Sequence, residues 1–122
     1  MNAIDQTFLP VQRAMDLSSA RMAAIAKNLA HADTPGFQRL KVDFQSLLDA
    51  SRIRDDARRL EALQDWRPEL SVDQDAPLDE RGNSVKLEQE IALMHKTLLH
   101  HEVAAQLAAG KIAGLRLALN GR

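Results

Sequence analysis

Three of the four histidines lie close together and are the residues best suited to bind a metal ion. His95, His100 and His101 are separated by five positions and by one. Two imidazoles of one helix bind the same zinc ion when they are four residues apart, because that spacing puts them on one face. No pair here has this spacing, so we predict no metal site. We interpret these histidines as residues of the surface or of a helix–helix contact.

Carboxylates are the second group that could support catalysis. Five of them occur in the middle of the chain among arginines and turn-forming residues: Asp55, Asp56, Asp73, Asp75 and Asp79. No apolar segment nearby could enclose them and shift their pKa values. The sequence also lacks cysteine, which excludes thiolate catalysis, disulfides and cysteine-based zinc sites. We therefore predict no catalytic residue, no cofactor and no small-molecule substrate, and a chain that is not an enzyme.

The charge pattern argues against nucleic acid as a partner. The formal net charge is -1, and 16 basic residues are interspersed with 17 acidic ones. Proteins that bind nucleic acid concentrate positive charge in a patch or stripe. The N-terminus lacks the basic stretch and apolar run of a Sec signal peptide, and no run of about 18 apolar residues could span a membrane. Taken alone, these features predict a cytoplasmic location.

The N-terminal part has the apolar spacing of a helix that packs against other helices. Apolar residues alternate at spacings of four and three, which predicts a helix over roughly residues 8 to 32. Thr7 is the predicted N-cap, with Pro10 in the first turn. Thr34, Pro35 and Gly36 predict the end of the helix and a sharp turn. The heptad positions are Ile4, Phe8, Val11, Met15, Ser18, Met22, Ile25, Leu29 and Ala32.

The C-terminal part predicts a longer helix, over roughly residues 84 to 119, capped by Asn83 or Ser84. Gly110 and Gly114 lie four residues apart and therefore on one face, where small residues let a neighbouring helix approach closely. A frayed helix end is the alternative explanation of these glycines. The heptad positions are Leu87, Ile91, Met94, Leu98, His101, Ala105, Ala108, Ile112, Leu115 and Leu119.

The middle of the chain has no comparable pattern. A short helical turn is predicted after Asp43, a charged helix within residues 51 to 63, and an extended stretch over residues 66 to 72. We predict a small, weakly ordered insert, with short strands as one option. The fold class is therefore all-α, with two long terminal helices in a coiled-coil-like antiparallel pair. The chain forms one domain of three parts: residues 1–37, 38–83 and 84–122.

The length of the C-terminal helix predicts a partner. About 36 residues of helix extend about 54 Å, whereas a compact globule of this chain length is roughly 35 Å across. Two paired helices also leave part of each flank uncovered. Other copies or homologous chains are the simplest partners, and a cytoplasmic coiled-coil adaptor is a rival interpretation. A membrane surface is disfavoured because the apolar faces are narrow and lack basic flanks.

One segment resembles the signature of the flagellar axial proteins, the family of rod, hook and hook-associated proteins. Its pattern is Ala, any residue, Asn, aliphatic, Ala, Asn, Ala, any residue, Thr-Pro-Gly, aromatic. His31 stands where the family usually has its second Asn, and Lys27 where it usually has Ser. The matching residues are Asn28, Ala30, Ala32, Thr34, Pro35, Gly36 and Phe37.

Three further segments are similar to one branch of that family, the proximal rod proteins. They are residues 42–44, residues 82–90 and residues 112–119. Lys86 departs from the branch, which commonly has Asp there. The short length agrees with this branch, because hook-type members carry large additional domains. A sister rod protein of the same family remains the alternative.

The resemblance implies a structural subunit of the flagellar basal-body rod. Such proteins leave the cytoplasm through the type III export apparatus without a cleaved signal peptide and assemble in the periplasm, which overrides the cytoplasmic default. The implied partners are other copies, other rod proteins, the basal-body ring and the export-gate adaptor subunit. The assembled rod transmits torque as a drive shaft and encloses the export channel.

The residues predicted to form the assembly interface come from both helices and from the signature turn. Phe37 is expected to anchor the turn against a helix. The amide of Asn28 is expected to bond a backbone group of a neighbour, or else to be an exposed polar group. The full set is Val11, Met15, Met22, Ile25, Asn28, Leu29, Thr34, Pro35, Gly36, Phe37, Leu87, Ile91, Met94, Leu98, His101, Gly110, Ile112, Gly114, Leu115 and Leu119.

Overall fold

The computed structural model describes residues 3–121. Within that range the chain forms four helices and two short strands. Two long helices, one at each end of the chain, enclose an insert that contains the shorter elements. In chain order the elements are α1 (Ala3–Ala30), β1 (Leu40–Val42), α2 (Gln45–Ser51), α3 (Asp56–Asp65), β2 (Leu70–Val72) and α4 (Leu87–Leu119).

The helix α1 begins earlier than the sequence predicted. Thr7 and Pro10 both lie inside it, so the assignment of Thr7 as the N-cap was wrong. Asp5 lies in the first turn, where a carboxylate is favoured by the helix dipole. Pro10 lacks a backbone N–H and removes one hydrogen bond from the helix. The predicted end is confirmed: α1 stops at Ala30, and Gly36 has a φ of +77°, which reverses the chain.

The two long helices run antiparallel to each other. Asn28, near the end of α1, bonds to Glu90, near the start of α4. At the opposite end, Thr7 and Phe8 share a surface depression with Lys111 and Leu115. The antiparallel arrangement is therefore present, whereas coiled-coil packing between the two helices stays a prediction.

The helix α4 turns a different face to α1 from the one its apolar pattern indicated. Its buried residues are Glu90, Thr97 and Ala104, which are spaced by seven. Of the predicted heptad positions, Met94, His101, Ala105, Ala108 and Leu115 are half-buried. Leu87, Ile91, Leu98, Ile112 and Leu119 are exposed. Nearly every side of α4 carries apolar residues, so the spacing alone did not single out the face that is covered.

The start of α4 also corrects the sequence prediction. The helix begins at Leu87, and Lys86 occupies the N-cap position without a side-chain hydrogen bond. Asn83 and Ser84 therefore do not cap α4. Both are almost fully buried, and their side chains bond to other segments of the chain.

The insert contains the short helix, the charged helix and the extended stretch that were predicted. β1 and β2 pair in antiparallel fashion, with Leu40 opposite Val72 and Val42 opposite Leu70. The insert supplies most of the apolar core, which packs against a second face of α1. Its predicted weak order stays a prediction. The core cluster consists of Leu9, Leu17, Ala24, Val42, Leu47, Ala50, Leu60, Leu63 and Trp66.

Arg13 fixes the insert to α1. Its Nε atom donates to the carbonyl of Leu63 at 2.7 Å and its Nη2 atom to that of Gln64 at 3.3 Å. These carbonyls belong to the last turn of α3, where they lack partners within the helix. A guanidinium group there bonds the free carbonyls and offsets the negative end of the helix dipole.

None of the helices within residues 3–121 is long and apolar enough to cross a membrane.

Candidate functional site

The signature residues form a compact turn directly after α1. The ring of Phe37 stacks on that of His31, with 4.5 Å between centroids and 16° between planes. The Nδ1 atom of His31 lies 3.2 Å from the hydroxyl oxygen of Thr34. Phe37 therefore packs against the turn itself, and His31, which departs from the family pattern, provides the packing surface.

A second loop, residues 79–84, holds this turn in place. The side-chain amide of Asn83 donates to the carbonyls of His31 and Thr34, at 2.9 and 2.8 Å. The backbone N–H of Gly36 donates to the carbonyl of Arg81 at 2.9 Å. Gly82 has a φ of +75°, and a Cβ atom built on it would lie 3.6 Å from the Cα of Gly36. The two segments that carry the family resemblance are thus in direct contact.

Asn83 is itself positioned by its neighbours. Its Oδ1 atom accepts a hydrogen bond from the N–H of Val85 at 2.7 Å. The carboxylate of Asp79 accepts from the N–H groups of Asn83 and Arg81, and these two bonds hold its pKa below the ordinary value. The signal that could have revealed this role was the Asp-x-x-Gly-Asn spacing of Asp79, Gly82 and Asn83, which is typical of a tight turn.

Asn28 joins the end of α1 to β1 and α4. Its Oδ1 atom accepts from the N–H of Leu40 at 2.8 Å, and its Nδ2 atom donates to the carbonyl of the same residue at 2.9 Å. Nδ2 also lies 3.2 Å from Oε2 of Glu90. The residue is 0% exposed. The expectation of an exposed polar group was therefore wrong, and the amide bonds backbone groups of its own chain.

Arg39 completes the network through two ion pairs. Its Nε atom lies 2.7 Å from Oε1 of Glu90 and its Nη1 atom 2.6 Å from Oδ2 of Asp73. Its backbone N–H donates to the hydroxyl of Ser84 at 2.8 Å. These groups form the polar junction, which ties α1, β1, α4 and the loop before α4 together. Its members are Asn28, Arg39, Asp73, Asn83, Ser84 and Glu90.

The electrostatics of the polar junction favour the charged form of Asp73. Burial by itself would raise the pKa of Asp73, but the hydrogen bond from Arg39 and that from the N–H of Asp75 lower it below the ordinary value. Burial by itself would lower the pKa of Arg39, but the carboxylates of Glu90 and Asp73 raise it above the ordinary value. Every buried side-chain nitrogen or oxygen within residues 3–121 has a hydrogen-bond partner. The polar junction is thus built to hold segments together.

The described part of the chain contains no group of three or more histidine, cysteine or carboxylate side chains that could bind a metal ion. His95 and His100 are exposed, and His101 is half-buried on the side of α4 that faces α1.

The residues predicted for assembly do not form one continuous site. Ile25 and Asn28 are buried within the chain. Half-buried positions lie along the contact between the long helices or in the turn: Val11, Met15, Met22, Leu29, Phe37, Met94, His101 and Leu115. The remaining residues are exposed, either in the turn or on the outside of α4: Thr34, Pro35, Gly36, Leu87, Ile91, Leu98, Gly110, Ile112, Gly114 and Leu119.

The outside of α4 carries two strips of exposed apolar residues. The side strip consists of predicted positions: Leu87, Ile91, Leu98 and Ile112. The far strip was not predicted and consists of Leu99, Val103, Leu107 and Leu117. Gly110 and Gly114 fall on the same face as the far strip, and together these positions are spaced by three and four residues. This spacing in the sequence could have revealed the far strip. Neighbouring exposed apolar side chains of this kind are typical of surfaces that contact other proteins.

Known proteins resemble the chain over most of its length, although no protein-family model matches it. It is 26% identical over 117 residues to the flagellar basal body rod protein FlgB of Borreliella burgdorferi, covering 83% of this chain and 87% of the relative. It is 24% identical over 132 residues to FlgB of Bacillus subtilis, covering 99% and 98% of the two chains. For FlgB of Aeromonas hydrophila the identity is 28% over 127 residues, covering 98% and 96%.

These relatives come from different bacteria and carry the same name. Two of the alignments cover nearly all of this chain, so the similarity does not rest on a single motif. The predicted resemblance of this chain to the flagellar basal body rod proteins, and among them to FlgB, is therefore confirmed.

Proposed function

We propose that the chain is a structural subunit of the bacterial flagellar basal-body rod, at its proximal end, and that it assembles through α1 and α4 with other copies and other rod proteins. The observation that carries this proposal is the uncovered surface of α4. Nine of its large apolar residues are exposed: Leu87, Ile91, Leu98, Leu99, Val103, Leu107, Ile112, Leu117 and Leu119. The similarity to proteins named FlgB supplies the biological setting.

The total surface supports assembly as well. The chain exposes 8140 Å², whereas a compact monomer of its mass would expose roughly 6500 Å². The excess of roughly 1600 Å² is comparable to the surface buried in a standard protein–protein interface. Burial of apolar strips by neighbouring helices would remove this excess and provide the driving force for association.

The polar junction suits a subunit that transmits force. It fixes the ends of α1 and α4 relative to each other through hydrogen bonds and ion pairs, so that the hairpin can act as one stiff element. Side by side in a rod, such hairpins would form the drive shaft and the wall of the export channel. The polar groups of the junction are bonded to one another, which suits a structural role and not an enzymatic one.

Several parts of the proposal concern the route and the neighbours of the protein. The subunit leaves the cytoplasm through the type III export apparatus without a cleaved signal peptide and assembles in the periplasm. Its neighbours are other rod proteins, the basal-body ring and the export-gate adaptor subunit. The absence of cysteine supports passage as an unfolded chain, because refolding then requires no disulfide formation.

A gene deletion in the source bacterium tests the proposal. We expect cells that do not swim and basal bodies with membrane rings but without rod or hook, as seen by electron microscopy of isolated basal bodies. The intact gene should restore both, and genes lacking either terminal helix should not. Normal rods in the deletion strain, together with recovery of the protein in the soluble fraction of wild-type cells, would favour a cytoplasmic coiled-coil adaptor.

Point substitutions test whether α4 provides the contacts. Leu98→Lys introduces a charge on the side strip, where the leucine is 49% exposed, so the monomer should fold normally. We expect loss of swimming with normal levels of exported protein. Leu78→Lys is the matched control, because this leucine is 55% exposed but lies in the loop before α4. Equal effects of both substitutions would contradict assembly through the terminal helices.

A further inference from the structure

A small pocket beside the polar junction has an unusual charge. It has a volume of about 160 Å³ and opens between α1, β1 and α4. Four cationic side chains line it: Arg21 from α1, Arg39 and Lys41 from the segment that forms β1, and Lys96 from α4. The other residues of its wall are apolar, and none is acidic.

Two of these four cations are not neutralised within the described residues. Arg39 is paired with Glu90 and Asp73, and the Nζ atom of Lys41 lies 4.0 Å from Oδ1 of Asp73. Neither Arg21 nor Lys96 forms an ion pair with a carboxylate anywhere in residues 3–121. The pocket therefore carries an excess of positive charge that the folded chain does not balance.

The position of Arg21 makes this excess costly in the isolated subunit. The guanidinium carbon lies 5.2 Å from the centroid of the Phe44 ring, which orients the group over an aromatic face. Burial lowers the pKa of Arg21, because a partly desolvated cation loses hydration without gaining a counter-ion. A site that holds a preoriented guanidinium and an ammonium group at an apolar cleft is suited to an oxyanion.

We propose that this pocket binds a carboxylate side chain of a neighbouring subunit, held between Arg21 and Lys96. The inference rests on the proposed function, because it requires an assembled rod. The volume is below the roughly 300 Å³ at which small-molecule sites begin, but it accommodates the end of an aspartate or glutamate side chain.

The place of the pocket on α4 favours a neighbour over a free anion. Lys96 precedes Leu99 by three positions and Val103 by seven, so it lies on the same side of the helix as the far strip. A helix that covers the far strip would pass the mouth of the pocket. An acidic residue on that helix would enter it and fix the register of the two chains, which apolar contacts alone define poorly.

Zero-length cross-linking tests the proposal on intact basal bodies. A carbodiimide couples an amine to a carboxylate only when the two are in contact, and mass spectrometry identifies the joined residues. We expect Lys96 to be coupled to an aspartate or glutamate of another chain. The intrachain pair of Lys41 and Asp73 serves as the internal positive control, because its atoms are 4.0 Å apart. If the control pair is coupled but Lys96 is not, the inference is overturned. If the protein is absent from basal bodies, the rod assignment itself is refuted.

A charge reversal provides the second test. Lys96→Glu should reduce the amount of protein recovered in basal bodies by at least about tenfold. The reason is that removing one partner of a buried interfacial charge pair lowers the association constant by more than about tenfold. Lys27→Glu makes the same charge change at an exposed position of α1 outside the pocket and should have no effect. Circular dichroism checks that both variants fold. Normal recovery of Lys96→Glu would overturn the proposal.

Titration of the purified full chain separates the neighbour from a free anion. Sodium acetate and inorganic phosphate are the probes, and amide chemical shifts of residues around Arg21 and Lys96 are the readout. Weak binding of both probes, in the millimolar range, agrees with a site that takes a tethered carboxylate. Submillimolar binding of phosphate together with an uncoupled Lys96 would show a free anion as the occupant and overturn the proposal.

Discussion

Asn28 connects three segments through one side chain. Its amide bonds both backbone groups of Leu40 and the carboxylate of Glu90, in a position without solvent exposure. An asparagine fits here because its amide offers both a donor and an acceptor, which bond the two backbone groups of Leu40. The family signature places an asparagine at this position, and the structure gives the physical reason: it bonds the first residue of β1 in the way a neighbouring strand would.

We predict that Asn28→Ala lowers the free energy of unfolding by about 2–4 kcal/mol, because it leaves the partly buried N–H and carbonyl groups of Leu40 without partners. Urea unfolding followed by circular dichroism measures the change. Asn120→Ala is the control, since this residue is exposed at the end of α4 and should change stability by less than about 0.5 kcal/mol. Similar values for both variants would show that the hydrogen bonds of Asn28 contribute little.

Asp73 should make the polar junction sensitive to acid. Its pKa is lower in the folded chain than in the unfolded one, so the folded state binds the proton less readily. The resulting stabilisation is complete above about pH 4, the ordinary pKa of aspartate, and is lost as the pH falls through the lower folded value. Asp73→Asn should therefore destabilise the chain at pH 7 and have a smaller effect at pH 3.

Urea unfolding of wild type and variant at both pH values provides the measurement. Asp75→Asn serves as the control, because the Asp75 side chain is exposed on the same loop and should show no such pH dependence. If Asp73→Asn lowers the free energy of unfolding equally at pH 7 and pH 3, the charge of this carboxylate does not stabilise the polar junction.

At the scale of elements, the C-terminal third of α4 has little packing within the subunit. No residue after Ala104 is fully buried in the described part of this helix. A Cβ atom built on Gly110 or on Gly114 would meet nothing within 4 Å. These glycines therefore weaken the helix without serving a contact inside the chain. A neighbouring helix that approaches closely would explain their presence, and a frayed helix end is the alternative explanation.

We predict opposite effects of Gly110→Ala on the monomer and on the rod. The monomer should gain up to about 1 kcal/mol, because alanine is the better helix former and the space is open. Amide hydrogen exchange over residues 105–119 should become slower. Ala113→Gly, at a nearby exposed position, is the reverse control and should accelerate the exchange.

Swimming distinguishes the two explanations of the glycines. If a neighbour packs against Gly110, Gly110→Ala should impair swimming although the monomer is more stable. Unimpaired swimming would favour the frayed end.

At the scale of the whole molecule, the shape follows from the two long helices. Helices of 28 and 33 residues extend about 42 and 50 Å. The insert covers one face of α1 and leaves the outside of α4 open. The subunit is therefore elongated, and its apolar surface is arranged along its length.

We predict a radius of gyration clearly above about 14 Å, the value for a compact globule of this length. Small-angle X-ray scattering on the purified chain gives this radius, and the forward scattering gives the mass of the scattering species. Samples at several dilutions serve as the control for self-association. A monomeric mass with a radius near 14 Å would mean that α4 bends back on the core.

Particular residues show how far the sequence predicted the fold. The two long helices, the turn at Gly36 and three short elements of the insert, α2, α3 and β2, were predicted from local spacing and turn chemistry. The strand β1 was not predicted. The caps at Thr7, Asn83 and Ser84 were wrong. Each of these residues is a good local cap, but tertiary contacts override such preferences: helix α1 extends past Thr7, and Asn83 and Ser84 bond to the signature turn and to Arg39.

The candidate site was predicted less well than the fold. The signature turn was located, because a proline followed by glycine constrains the backbone in any context. The ion pairs of Arg39 with Asp73 and Glu90 were not predicted. Charged residues in a polar sequence usually face solvent, and only their convergence in space distinguishes these three. The far strip of α4 was missed because an apolar pattern on nearly all sides of a helix fits more than one set of heptad positions.

The sequence by itself determined the local properties: where long helices form, where the chain turns, and which known proteins it resembles. These follow from backbone preferences and side-chain periodicity within a few residues. Only the tertiary structure decided which face of α4 is covered, that Asn28 bonds within the chain, and that Arg21 and Lys96 share a pocket without a carboxylate partner among residues 3–121. These depend on groups tens of residues apart, whose distances are set by how the helices and the insert pack.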